Sequence, residues 1–171
     1  MAARKTSGQF FEAFLNPAER AYATHELATR GSEAVPILES LFSGQAKNRW
    51  GVAYAKLGCI DCGLVTAQLL GNLAKPLEPW LREYLRAGHP YAAQSLGALG
   101  SLDDASIITL AACLEQKGDV GMEAAYALCC CGTDEHEVVR RVVQASPWAN
   151  FLLERARNFH ARRLERGNLQ A

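Results

Sequence analysis

Apolar residues recur along this chain at helical steps. Leu77, Trp80, Leu81, Tyr84 and Leu85 follow an i, i+3, i+4, i+7, i+8 rule, which lays them along one side of a helix. Val35, Leu38, Leu41 and Phe42 form a similar stripe, as do Val138, Val139, Val142 and Val143. No segment alternates apolar and polar residues between hairpin turns, so the pattern predicts essentially no sheet. Glycine supplies the punctuation. Gly31, Gly44, Gly58, Gly88, Gly100, Gly118 and Gly132 each end a helix-forming run, where a left-handed backbone is wanted. Ser32, Ser101 with Asp103, Asp119 and Thr133 stand just beyond these stops as N-cap candidates. Asn16-Pro17-Ala18-Glu19 has the form of a helix start, with proline at the first helical position and Glu19 completing a capping box.

These signals predict helices near 9–15, 17–30, 33–43, 46–57, 61–72, 77–87, 90–99, 104–117, 120–131, 135–145 and 147–165, an all-α chain of about ten helices. Short helices joined by tight turns pair as antiparallel hairpins, because no connection is long enough to cross a domain. Aligning the second helix of successive pairs brings out a repeat. Trp50–Gly58 superposes on Ala92–Gly100 and on Met122–Cys130, each a stretch of small residues ending in Leu-Gly or its cysteine counterpart. Small residues let stacked helices approach closely.

The motif at His89-Pro90, with Ala98-Leu99-Gly100 and then Ser101-Leu102-Asp103-Asp104, resembles the second helix and turn of the HEAT-repeat family, including its short bacterial HEAT-like members. Asp119-Val120 with Ala127-Leu128 is a second such match and Glu33 to Gly58 a third. The resemblance implies a right-handed α-solenoid of stacked hairpins forming one domain over 1–171. Its repeats would span 32–145, between an N-terminal cap at 9–30 and a basic capping helix at 147–166. In that family the second helices line a concave binding surface. By position, the resemblance places Arg49, Trp50, Tyr54, Tyr91, Gln94, Glu123 and Tyr126 there. Tyr, Trp and Arg are residue types that anchor protein interfaces; the competing expectation is that Trp50, Tyr54 and Tyr126 pack between repeats.

Composition narrows the function classes. Hydrophobic residues at 49% and charged residues at 21% describe a globular chain, long enough at 171 residues to bury a core without disulfides or metals. No run approaches the about 18 apolar residues of a membrane span, and no signal-peptide pattern opens the chain, so a cytoplasmic, thiol-reduced protein is expected. Lys plus Arg equal Asp plus Glu at 18 each, but unevenly: residues 1–139 hold 11 basic and 16 acidic side chains, and 140–171 hold 7 arginines against Glu154 and Glu165. That basic end admits phosphate contact. However, Trp148, Phe151, Leu152 and Phe159 on the same helix read as its packing face, leaving the arginines as a solvated surface that disfavours a nucleic-acid partner.

The chemistry-bearing residues are sparse. No phosphate-binding glycine loop, dinucleotide fingerprint, zinc-protease pair or serine elbow occurs, and no cofactor is implied. Cys59-Ile60-Asp61-Cys62 has CxxC spacing and Cys129-Cys130-Cys131 is a triple. Adjacent helical residues diverge by about 100°, so the triple does not converge on one ion, no metal is expected, and small apolar filling is the simpler role. His25, His89, His136 and His160 are scattered without ligand spacing. The expectation is therefore a non-catalytic scaffold that binds another protein, with neutralisation of a cognate bacterial toxin, as an immunity protein does, the favoured role. The same resemblance also admits a subunit akin to bilin lyases, or a nucleic-acid binder using Arg140 to Arg166.

Overall fold

A computed structural model describes residues 5–168. Every regular element among them is helical: α1 (Ser7–Leu15), α2 (Arg20–Ala28), α3 (Ala34–Phe42), α4 (Ile60–Leu70), α5 (Glu78–Arg86), α6 (Pro90–Ala98), α7 (Asp104–Cys113), α8 (Asp119–Cys130), α9 (Glu137–Ala145) and α10 (Pro147–Asn168). Short 3-10 turns occupy Gly31–Glu33, Tyr54–Lys56 and Gly71–Leu77.

Local chemistry explains the boundaries. Thr6 and Gln9 form a reciprocal capping box at α1, satisfying two otherwise orphaned N–H groups. The Asp103 carboxylate accepts the Ser106 N–H at 2.6 Å to open α7, and His136 Nδ1 accepts from Val138 to open α9. All seven expected glycine stops have positive φ. At Gly88 (φ +90°) the reason is visible: its N–H donates to the Leu85 carbonyl while the His89 N–H reaches back to Tyr84, so the chain reverses with the helix-end carbonyls satisfied.

The helices pair as α1/α2, α3/α4, α5/α6, α7/α8 and α9/α10. The second members α2, α4, α6, α8 and α10 touch in that order as one row. On the other side α5, α7 and α9 follow one another, and α3 joins through the Gly71–Leu77 turn. Composition sets the spacing within the row. A side chain on Gly97 of α6 would stand only 3.0 Å from the Ala127 Cα of α8, so glycine facing alanine is what lets these backbones meet. Buried Ser95 donates to the Leu64 carbonyl at 2.7 Å, tying α6 to α4. The first helices bring bulk instead: Leu38, Leu81, Leu85 and Leu110 are fully buried, each contributing about 1.5–3 kcal/mol. Glu78 and Arg82 of α5 clamp the next turn. Buried Glu78 accepts the Asp103 N–H at 2.9 Å, and Arg82 grips the Asp103 carboxylate at 2.9 Å. Burial raises the Asp103 pKa, but its bonds to Ser106 and Arg82 outweigh that and hold it below the usual carboxylate value.

One expected helix is absent. Residues 46–57 form a closed loop bridged at Lys47 and Ala53, followed by the Tyr54–Lys56 turn. The Asn48 side chain accepts the N–H groups of both Trp50 and Val52 at 3.0 Å, and Gly51 takes φ +78°. A side chain has replaced the helical acceptors. The partner of α3 is therefore α4, not 46–57. Smaller departures lie at 17–19, a turn before α2 in which Asn16 pairs with Glu19 at 2.8 Å, and at 114–117, beyond the end of α7.

Candidate partner-binding surface

The seven sequence-derived site residues separate into three settings. Arg49 and Trp50 ride the closed loop, where Trp50 is 68% exposed and the Arg49 guanidinium lies 4.0 Å from its ring centre. Tyr54 packs in the core. Its ring meets Phe11 at 5.2 Å and its hydroxyl donates to Glu12 at 2.6 Å; burial, then this bond, pushes its pKa up to about 12. The other four lie on the row. Exposed Tyr91 and half-buried Gln94 sit three residues apart on α6, and Glu123 and Tyr126 do so on α8.

Glu123 and Tyr126 form one wall of a groove of about 730 Å³, whose opposite wall is α10 with Phe151, Arg155, Phe159 and Arg162. The α10 wall reverses an expectation. Of the expected face only Leu152 is buried; Trp148, Phe151 and Phe159 are 39%, 48% and 61% exposed. The buried stripe is Ala149, Leu152, Leu153 and Ala156. The reason is the same small-residue logic that governs α6 and α8: an alanine- and leucine-bearing face nestles into the row, and the large rings are turned outward. Steps of three and four residues from Trp148 through Phe151, Arg155, Phe159 and Arg162 mark this second stripe, and that spacing is the signal that separates it from the buried one.

The groove is held in place by polar contacts. Trp148 Nε1 donates to the Gln116 carbonyl at 3.2 Å and its ring stacks on Phe151 at 5.6 Å. Arg157 binds Asp134 at 2.7 Å and also reaches Glu135. Arg163 donates to the Tyr126 hydroxyl at 2.9 Å, and Phe159 meets the Tyr126 ring edge-on at 5.6 Å. Arg155 and Arg162 meet no carboxylate among the described residues. Between the same two helices the Cys130 sulfur lies 3.8 Å from His160 Nδ1, but burial raises the thiol's pKa, so it is not an activated nucleophile at neutral pH.

The other cysteines behave alike. Cys59 and Cys62 donate to the α1 carbonyls of Phe11 and Phe14, at 3.5 and 3.9 Å. Burial pushes Cys59 and Cys129 up to about 12 and Cys131 to about 11. Among the described residues no three His, Cys, Asp or Glu side chains are grouped to hold a metal ion, and no helix is long and apolar enough to cross a membrane. No protein-family model, curated protein or solved structure matches the chain.

Proposed function

We propose that this chain is a protein-binding scaffold of the HEAT-like α-solenoid type, which presents the outer faces of its second helices and the Trp50 loop to a partner. The observation that carries this reading is the set of exposed aromatic and arginine side chains, Trp50, Tyr91, Phe151, Arg155 and Phe159, on a tightly hydrogen-bonded framework. Such side chains favour interfaces because they bury large areas at small entropic cost, and a pre-ordered surface loses little freedom on binding. The ordered row of hairpins supports the solenoid assignment. Stoichiometric occlusion of a partner's site, as an immunity protein achieves against a cognate toxin, is the role such a rigid surface suits.

The test is capture from native lysate on tagged protein, with Trp50→Ala/Tyr91→Ala as a variant whose folding is verified by circular dichroism. One protein recovered in equal amount, and lost from the variant, is the expected result. Nucleic acid or a chromophore alone, or no partner while helicity is intact, would sink the proposal.

A further inference from the structure

We infer that the α8/α10 groove receives a single amphipathic helix of the partner, apolar along one face and carrying carboxylates beside it. This rests on the scaffold reading above and adds the site and chemistry of the partner. Three observations converge. First, α10 is the last described member of its row. It has α8 on one side, while its Trp148–Phe151–Phe159 stripe faces outward. An exposed aromatic stripe of this kind marks an interaction surface. Second, the two walls are helices, so their ridges offer the channel into which a third helix lays side chains at three- and four-residue steps. Third, aromatic and cationic groups alternate along the α10 wall in the order Phe151, Arg155, Phe159, Arg162. Arg82, Arg86, Arg140, Arg141 and Arg157 each have a carboxylate within the chain, but Arg155 and Arg162 have none among the described residues. Their complement is a pair of carboxylates supplied from outside, spaced about two helical turns apart like the arginines themselves.

The same side chains weigh against other occupants. A nucleic-acid strand carries a phosphate at every nucleotide and would meet Glu123 and Glu154 as well as the arginines, whereas a helix can set two carboxylates beside Arg155 and Arg162 alone. In an antiparallel twofold contact centred between Arg155 and Arg162, each would face the other's copy, like charge against like.

The experiment uses the full chain and a labelled synthetic helix of about five turns, with leucines on one face flanked by glutamates. A second version carries lysine for glutamate, and oligothymidine is the nucleic-acid probe. Fluorescence anisotropy is expected to give a Kd of order micromolar for the glutamate peptide. Binding should fall at least about tenfold with the lysine peptide and with Arg155→Glu/Arg162→Glu, roughly the loss of one charge-assisted pair. The lysine peptide should regain affinity on that variant. Phe151→Ala/Phe159→Ala should remove binding of either peptide while circular dichroism is unchanged. The inference is overturned if the lysine peptide binds the parent chain equally well, if oligothymidine binds more tightly, or if the glutamate peptide does not bind. Self-association in sedimentation that is lost in Arg155→Glu/Arg162→Glu would also overturn it, by assigning the groove to a second copy. A lysate partner that survives both double variants but is lost with Trp50→Ala/Tyr91→Ala leaves the scaffold standing and the groove inference refuted.

Discussion

Helices α6 and α10 hold the same place in their hairpins, yet they meet opposite surroundings. α6 lies between α4 and α8; it buries Ala92, Ala93, Ser95 and Leu96, and Gly97 against Ala127 lets the α8 backbone close on it. α10 buries Ala149, Leu152, Leu153 and Ala156, with Leu152 against Gly121 of α8, while the exposed stripe beside them carries rings and guanidinium groups. The difference teaches that aromatic bulk, rather than hydrophobicity, sorts the faces of these helices. Glycine, alanine and leucine face a neighbouring helix, whereas the large rings of α10 line its open groove with α8.

Substitutions can break this contrast. Leu96 of α6 is fully buried, so Leu96→Ala should cost about 2–5 kcal/mol in urea unfolding through the cavity it leaves. Gly97→Ala, crowding Ala127, should cost about 1–3 kcal/mol. A cost near zero for either would mean that the α6/α8 contact is loose. Alkaline titration sharpens the point at the thiols. The folded pKa values of Cys59 and Cys129 are raised to about 12, so their contribution to stability is intact below pH 9, the ordinary thiol value, and is lost as pH climbs towards 12. Helicity should therefore decline over that window, and later in Cys59→Ala/Cys129→Ala than in the parent chain. The smallest effect belongs to α10: Phe159→Ala, 61% exposed, should change stability by no more than about 0.5 kcal/mol.

The glycine stops and the leucine stripes were legible because each obeys a local rule: a backbone angle or a helical period. Residues 46–57 were not. Their alanines and aromatics imitate a helix, and only the two hydrogen bonds accepted by Asn48 show that the chain closes into a loop. Tyr54 admitted two readings, interface anchor or packing between repeats, and its segment could not decide between them because its partner Glu12 lies 42 positions away. In α10 the expected face shares only Leu152 with the buried one; Ala149, Leu153 and Ala156 carry no aromatic bulk that would mark them as its companions. Glu123 and Tyr126 were placed on the row from sequence, whereas the groove they share with Phe151 and Arg155 required the third dimension.

The sealed thiols make the molecule its own clock. Cys59 lies against α1, Cys113 ends α7, and Cys129 is buried near the end of α8. An alkylating reagent attacks the thiolate, which burial suppresses at each of these places, so modification waits for the local junction to open. The order in which these sulfurs acquire label would then record which hairpin parts from its neighbour first, and how far each opening falls short of global unfolding.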